Sequence, residues 1–146
     1  MSTHARIGII NQDRTILSTT IHWDGYPDFV GKYLVQFYNT EELVRELLSF
    51  GDISSIGETI GTKHDDSDFS CEGKVTTFYG RDRGETDVDA FTFKNKNQFK
   101  EAAEEYNYLF NVKTGTWSCF DYMGSSIRLG KYAKKETPTK SLKSKK

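Results

Sequence analysis

The chain has 146 residues, 36% hydrophobic and 28% charged, which suits one globular domain with a single core. Its net charge of −1 is unevenly spread: residues 131–146 hold seven lysines against Glu136 alone, net +6, which leaves −7 on residues 1–130. That balance predicts a folded acidic domain over 1–130 and a disordered, solvated Lys-rich tail over 131–146, and it excludes a broad surface tracking polymeric nucleic acid.

Arg6-Ile7-Gly8-Ile9-Ile10 reads as the first strand, Asn11-Gln12-Asp13-Arg14 as a turn, and residues 15–23 as the returning strand of a hairpin. Asp24-Gly25 is a turn signal, because glycine accepts positive φ and aspartate bonds its own backbone. Pro27 suits the first turn of a helix over 27–38, whose Phe29, Val30, Tyr33, Leu34 and Phe37 make one stripe. Gly31 inside that helix calls for a close neighbour, either backbone or ligand. Asn39-Thr40-Glu41-Glu42 has capping-box spacing for a second helix running to Phe50 and ended by Gly51. Residues 52–57 are expected to be a short loop or one turn. Residues 57–73, with His64-Asp65-Asp66-Ser67-Asp68, read as a solvated acidic excursion whose spacing matches neither an EF-hand nor a zinc site.

β-Branched and aromatic content predicts strands over 74–79 and 90–93. Asn95 or Asn97 then caps a third helix with Phe99, Ala102, Ala103 and Tyr106 on one face. Residues 109–112 and 116–120 form a last hairpin around Lys113-Thr114-Gly115. The order indicates an α+β fold, a mainly antiparallel sheet with about three helices packed on it.

Nothing in the chain reads as a catalytic set. No serine sits in a nucleophile elbow beside His22 or His64, and no Gly-rich phosphate loop is present. Cys71 and Cys119 stand too far apart for a Cys-x-x-Cys pattern, which points to reduced thiols. No enzymatic activity, metal or cofactor is therefore expected. No apolar run approaches membrane-spanning length, and Met1-Ser2-Thr3-His4-Ala5-Arg6 lacks a secretion signal's apolar segment, so a cytoplasmic protein is expected.

Two stretches hold candidate site residues. Residues 21–31 place Trp23 and Tyr26 on either side of a strand-to-helix corner, where Trp23 either stacks on a ligand or plugs the core. Gly80-Arg81-Asp82-Arg83-Gly84 carries two guanidinium groups that share one side of an extended chain and suit phosphate; the plain alternative is pairing with Asp82, Glu85 or Asp87. With Phe78 and Tyr79 adjacent, the pattern suits a nucleotide, π-face to base and cation to phosphate. Arg128 is either a third cation for that ligand or an exposed charge.

His22-Trp23-Asp24-Gly25-Tyr26-Pro27, Gly51-Asp52-Ile53-Ser54-Ser55 and residues 78–85, together with the opening Ser2-Thr3-His4-Ala5-Arg6-Ile7-Gly8-Ile9, resemble a family of small phage and prophage proteins, the Thoeris anti-defence sponges of the first type. The resemblance covers residues 1–130. It implies a protein in the host cytoplasm that binds cyclic ADP-ribose isomers without cleaving them, with some members also taking cyclic oligonucleotides. It further implies a homo-oligomer, dimers assembling to a hexamer, with pockets shared between protomers. By carry-over, Trp23 and Phe78 would stack on adenine, arginines would hold the pyrophosphate, and Asn95 or Asn97 would supply the pocket asparagine. The rival expectation is a small phage protein that blocks a host defence enzyme by direct protein–protein binding.

Overall fold

The computed structural model describes residues 3–64 and 74–132. Strands β1 (Ala5–Ile10) and β2 (Ile16–Ile21) form the opening hairpin. A single π-helical turn (Pro27–Gly31) leads into α1 (Lys32–Phe37), followed by α2 (Glu41–Ser49), β3 (Ile53–Ser55), β4 (Thr77–Phe78) and α3 (Tyr79–Arg83). Then come β5 (Phe91–Phe93), α4 (Lys96–Glu101), β6 (Tyr106–Asn111), β7 (Thr116–Asp121), β8 (Ser126–Ile127) and a 3-10 turn (Gly130–Tyr132). The eight strands form one sheet, β4-β3-β2-β1-β6-β7-β8, with β5 beside β2. Among the strand pairs of the described residues, β1–β6 and β2–β3 run parallel and the rest antiparallel. The fold is α+β with a mostly antiparallel sheet, as the order of elements predicts.

Period-two alternation sorts the sheet's side chains to two faces. Ala5, Ile7, Ile9, Ile21, Tyr108, Phe110 and Cys119 join Val30, Leu34, Val44, Leu47 and Leu48 of the first helices in the main core. Ile16, Leu109 and Phe120 face the other way and meet Phe93 of β5 and Phe99 of α4 in a smaller one. Gly8 makes the second layer possible: a Cβ there would lie 2.9 Å from the Phe99 ring and 2.8 Å from Ile16. One edge of β2 serves two partners, β5 along residues 16–18 and β3 at Ile21. Beyond Ile21 the ladder continues, with His22 N donating to Ile53 O (3.0 Å) and Trp23 N to Ser54 O (3.1 Å).

Several local expectations are corrected. Residues 52–57 supply a strand, because Ile53 is buried beside Ile21. Thr40, not Asn39, caps α2, accepting from Leu43 N, while Glu41 and Glu42 complement the dipole of the first turn. The neighbours of Gly31 are the side chains of Leu129 and Tyr108, at 3.1 and 3.3 Å from a built Cβ. Tyr106 belongs to β6 rather than to the third helix. Lys131 and Tyr132, assigned to the tail, form the 3-10 turn, and Tyr132 hydrogen-bonds Asp28. Residues 133–146, the acidic run 65–68 and Cys71 lie outside the described residues. Cys119 is a buried free thiol, its pKa pushed up to about 12 chiefly by burial.

The strand-to-helix corner closes differently from expectation. Positive φ belongs to Asp24 (60°), while Gly25 is needed for close approach: its N donates to Thr3 O (2.8 Å) and its O accepts from the Tyr108 hydroxyl (2.7 Å). A Cβ at Gly25 would sit 2.6 Å from Thr3 O and 2.8 Å from Ala5 Cβ. Gly25→Ala is therefore expected to cost about 1–3 kcal/mol by overpacking, read as a lower urea midpoint at unchanged slope.

Candidate functional site

The Ala5–Ile21 register of the first hairpin sets His4 opposite His22. Their imidazoles stack with centroids 4.4 Å apart. His22 meets Trp23 edge-on at 4.8 Å and Tyr79 at 6.3 Å, and the Arg83 guanidinium lies over the Tyr79 ring at 5.0 Å. Trp23 stays 42% exposed, so it is not a core plug. Segments remote in sequence thus give a ring cluster centred on His22, with a cation over its Tyr79 arm.

Beside this cluster opens a cleft of about 320 Å³. His4, Thr20 and His22 line it from the hairpin, Tyr79 from α3, and Asp52, Glu85, Val88 and Glu104 from the connections. Asp52 is locked in place: its Oδ1 accepts from Thr19 Oγ1 (2.8 Å) and Thr20 N (3.2 Å), and its backbone N donates to Val88 O (2.7 Å). Gly51 permits that approach, with φ at +81° and Val88 O only 2.2 Å from where a Cβ would be. Glu104 faces Arg6 at 3.9 Å, and Glu85 faces Arg83 at 4.0 Å. His4 Nε2 is buried without a hydrogen-bond partner, the only such side-chain atom among the described residues. Orphaned buried polar atoms are rare and cost about 1–3 kcal/mol.

Burial, then His4 and Arg83, hold His22 below the ordinary imidazole pKa. The unfolded chain therefore takes up this proton at higher pH than the folded one. The contribution of neutral His22 is whole above the unfolded pKa of ~6.5 and declines as pH falls through the folded value. The melting temperature is expected to drop between about pH 7 and pH 5.5, less steeply in His22→Gln, by differential scanning calorimetry.

No protein-family model matches this chain, and no curated protein or solved structure matches it. The site is accordingly read from its own chemistry.

Of the candidates, Tyr79 lines this cleft, Trp23 meets its wall at His22 and Arg83 covers Tyr79, while the others lie elsewhere. Tyr26 is exposed one turn along, its ring 6.4 Å from Phe29. Phe78 is fully buried against Phe50 at 4.9 Å, which removes it as a stacking platform. Arg81 is also corrected. Residues 79–83 are helical rather than extended, so residues two apart point to different sides, and Arg81 is engaged internally. Its Nε and Nη2 bond Asp82 (3.0 and 3.2 Å), Nη2 and Nη1 bond the carbonyls of Thr76 and Gly61, and its plane covers Phe78 at 4.7 Å. Asn95 is spent capping α4 through Gln98 N (2.9 Å), and Asn97 is exposed on that helix. Arg128 lines a second, wider cleft of about 620 Å³ between β7 and the 3-10 turn, with Trp117 and Lys131.

Sequence reasoning missed His4, Asp52, Glu85 and Glu104. Hairpin register alone would have found His4. Among the described residues no three His, Cys, Asp or Glu side chains are placed to hold a metal ion, and no helix is long and apolar enough to cross a membrane.

Proposed function

We propose that this protein captures a cyclic ADP-ribose-type signalling nucleotide and holds it intact, acting as a phage anti-defence sponge against Thoeris immunity in the host cytoplasm. The observation that carries the reading is the ring cluster around His22, met by His4, Trp23 and Tyr79, with Arg83 over Tyr79, beside a cleft that His4, His22 and Tyr79 line. Rings offer π-faces to a base, and a guanidinium over one arm of the cluster suits a pyrophosphate. A sponge works without chemistry, provided that binding is tight; nanomolar affinity corresponds to about −12 kcal/mol. Assembly into a homo-oligomer belongs to the same proposal and is read by light scattering.

The test is uptake followed by release. Protein incubated with cyclic ADP-ribose isomers, freed of unbound ligand and then heated should return the nucleotide unaltered, as read by mass spectrometry. Altered nucleotide would instead indicate an enzyme. No uptake would favour the second reading, direct blocking of a host defence enzyme. For that reading, the half-buried ladder Phe29–Tyr33–Phe37, with centroids 4.8 and 5.6 Å apart, offers an aromatic contact face beside Tyr26.

A further inference from the structure

We infer that the cleft takes the hydroxyl- and amine-bearing end of its ligand, the ribose with its base, and keeps the phosphates outside at Arg83. This inference rests on the capture reading above and adds an orientation to it.

The argument is one of donors and acceptors. Three carboxylates line the cleft, Asp52, Glu85 and Glu104, and an ionised carboxylate only accepts hydrogen bonds. Both hydrogen bonds to Asp52 fall on Oδ1; Oδ2 carries none among the described residues. Glu85 and Glu104 meet their arginines only at 4.0 and 3.9 Å, beyond hydrogen-bond length. Burial, then His4 and Arg83, lower the His22 pKa, which disfavours a positive imidazole in the cleft. An interior so rich in unfilled acceptors repels a phosphate oxygen and calls for O–H and N–H donors. A ribose diol and an exocyclic amine supply them in one compact group, and about 320 Å³ accommodates a nucleoside rather than a whole dinucleotide. The cation that suits phosphate, Arg83, lies over Tyr79, its side chain 37% exposed. Charge thus sorts the ligand: donors inward, anions at the mouth. Glu104 then acts as a specificity-determining residue.

Calorimetric titration separates this orientation from capture as such. The probes are cyclic ADP-ribose, analogues with each ribose hydroxyl replaced in turn by hydrogen, and inorganic pyrophosphate. At least one deoxygenated analogue is expected to bind tenfold or more weakly, while any displacement by millimolar pyrophosphate should vanish in Arg83→Ala. Glu104→Gln, checked for unchanged melting, should weaken the parent about tenfold and lose most of the discrimination against that analogue. Equal affinity for the parent and every analogue, or displacement by pyrophosphate that persists in Arg83→Ala, would overturn the orientation while leaving capture standing. Failure of cyclic ADP-ribose itself to bind would remove both.

Discussion

Asp82→Ala is expected to lower the free energy of unfolding by at least about 3 kcal/mol, the lower end for breaking a buried ion pair. The side chain is fully buried and accepts from Arg81 Nε and Nη2, from Phe78 N (2.8 Å) and from His64 N (3.1 Å). Removing it strands two backbone donors and leaves Arg81, 11% exposed, without its counter-charge. The carbonyls of Gly61 and Thr76 and the Phe78 ring still hold the guanidinium, which is why the lower end applies. Burial works to raise the Asp82 pKa, but the bonds from Arg81, Phe78 N and His64 N outweigh it, and the net is a lowered value. The stabilisation is therefore complete above the unfolded carboxylate pKa of ~4 and disappears as pH falls below it. Urea denaturation at pH 7 and pH 3 measures both effects: the gap between wild type and variant should shrink at the lower pH. Loss of uptake in Arg81→Ala would then report lost structure rather than lost ligand contact.

Trp23→Ala should behave in the opposite way. At 42% exposure the indole contributes modestly to the core, so the melting temperature should change little. Under the capture reading it stacks on a base, a contact of about 1–3 kcal/mol, which is roughly fivefold to a hundredfold or more in dissociation constant. Titration with cyclic ADP-ribose reads the change, and Trp23→Phe should restore part of it, since a smaller ring still offers a π-face. Unchanged affinity in Trp23→Ala would take the indole out of the site.

The two arginines show why the candidate site was only partly legible. Arg81 and Arg83 look equivalent in the sequence, hinged between glycines after an aromatic strand. In the fold, Gly84 at φ +70° ends a short helix, Asp82 turns back to the Phe78 amide, and the helical geometry parts the two guanidiniums. Arg81 is then fixed inward and Arg83 lies over Tyr79. The aromatic content of residues 74–79 predicts a strand, yet Asp82, accepting from the Phe78 amide four residues back and from His64 N eighteen back, accompanies a helical turn after Phe78. Trp23 was legible because rarity and a corner position are both visible locally. His4 was not, although it lies opposite His22 once the hairpin register is known.

By itself the sequence determined what short-range rules control: the first and last hairpins, the buried stripes of the first two helices, a helix cap at Asn95 or Asn97, and an α+β order. Alternation, helical period and capping each act within a few residues, so they survive without knowledge of the fold. Only the tertiary structure decided the parallel pairing of β1 with β6, the conversion of residues 53–55 into a strand, and the cleft itself. His4 reaches its backbone partner, the Glu105 carboxylate, across 101 positions, and Arg6 reaches Ala102 O across 96. Which charge meets which ring over such separations is set by how the sheet orders its strands, and no local pattern encodes that.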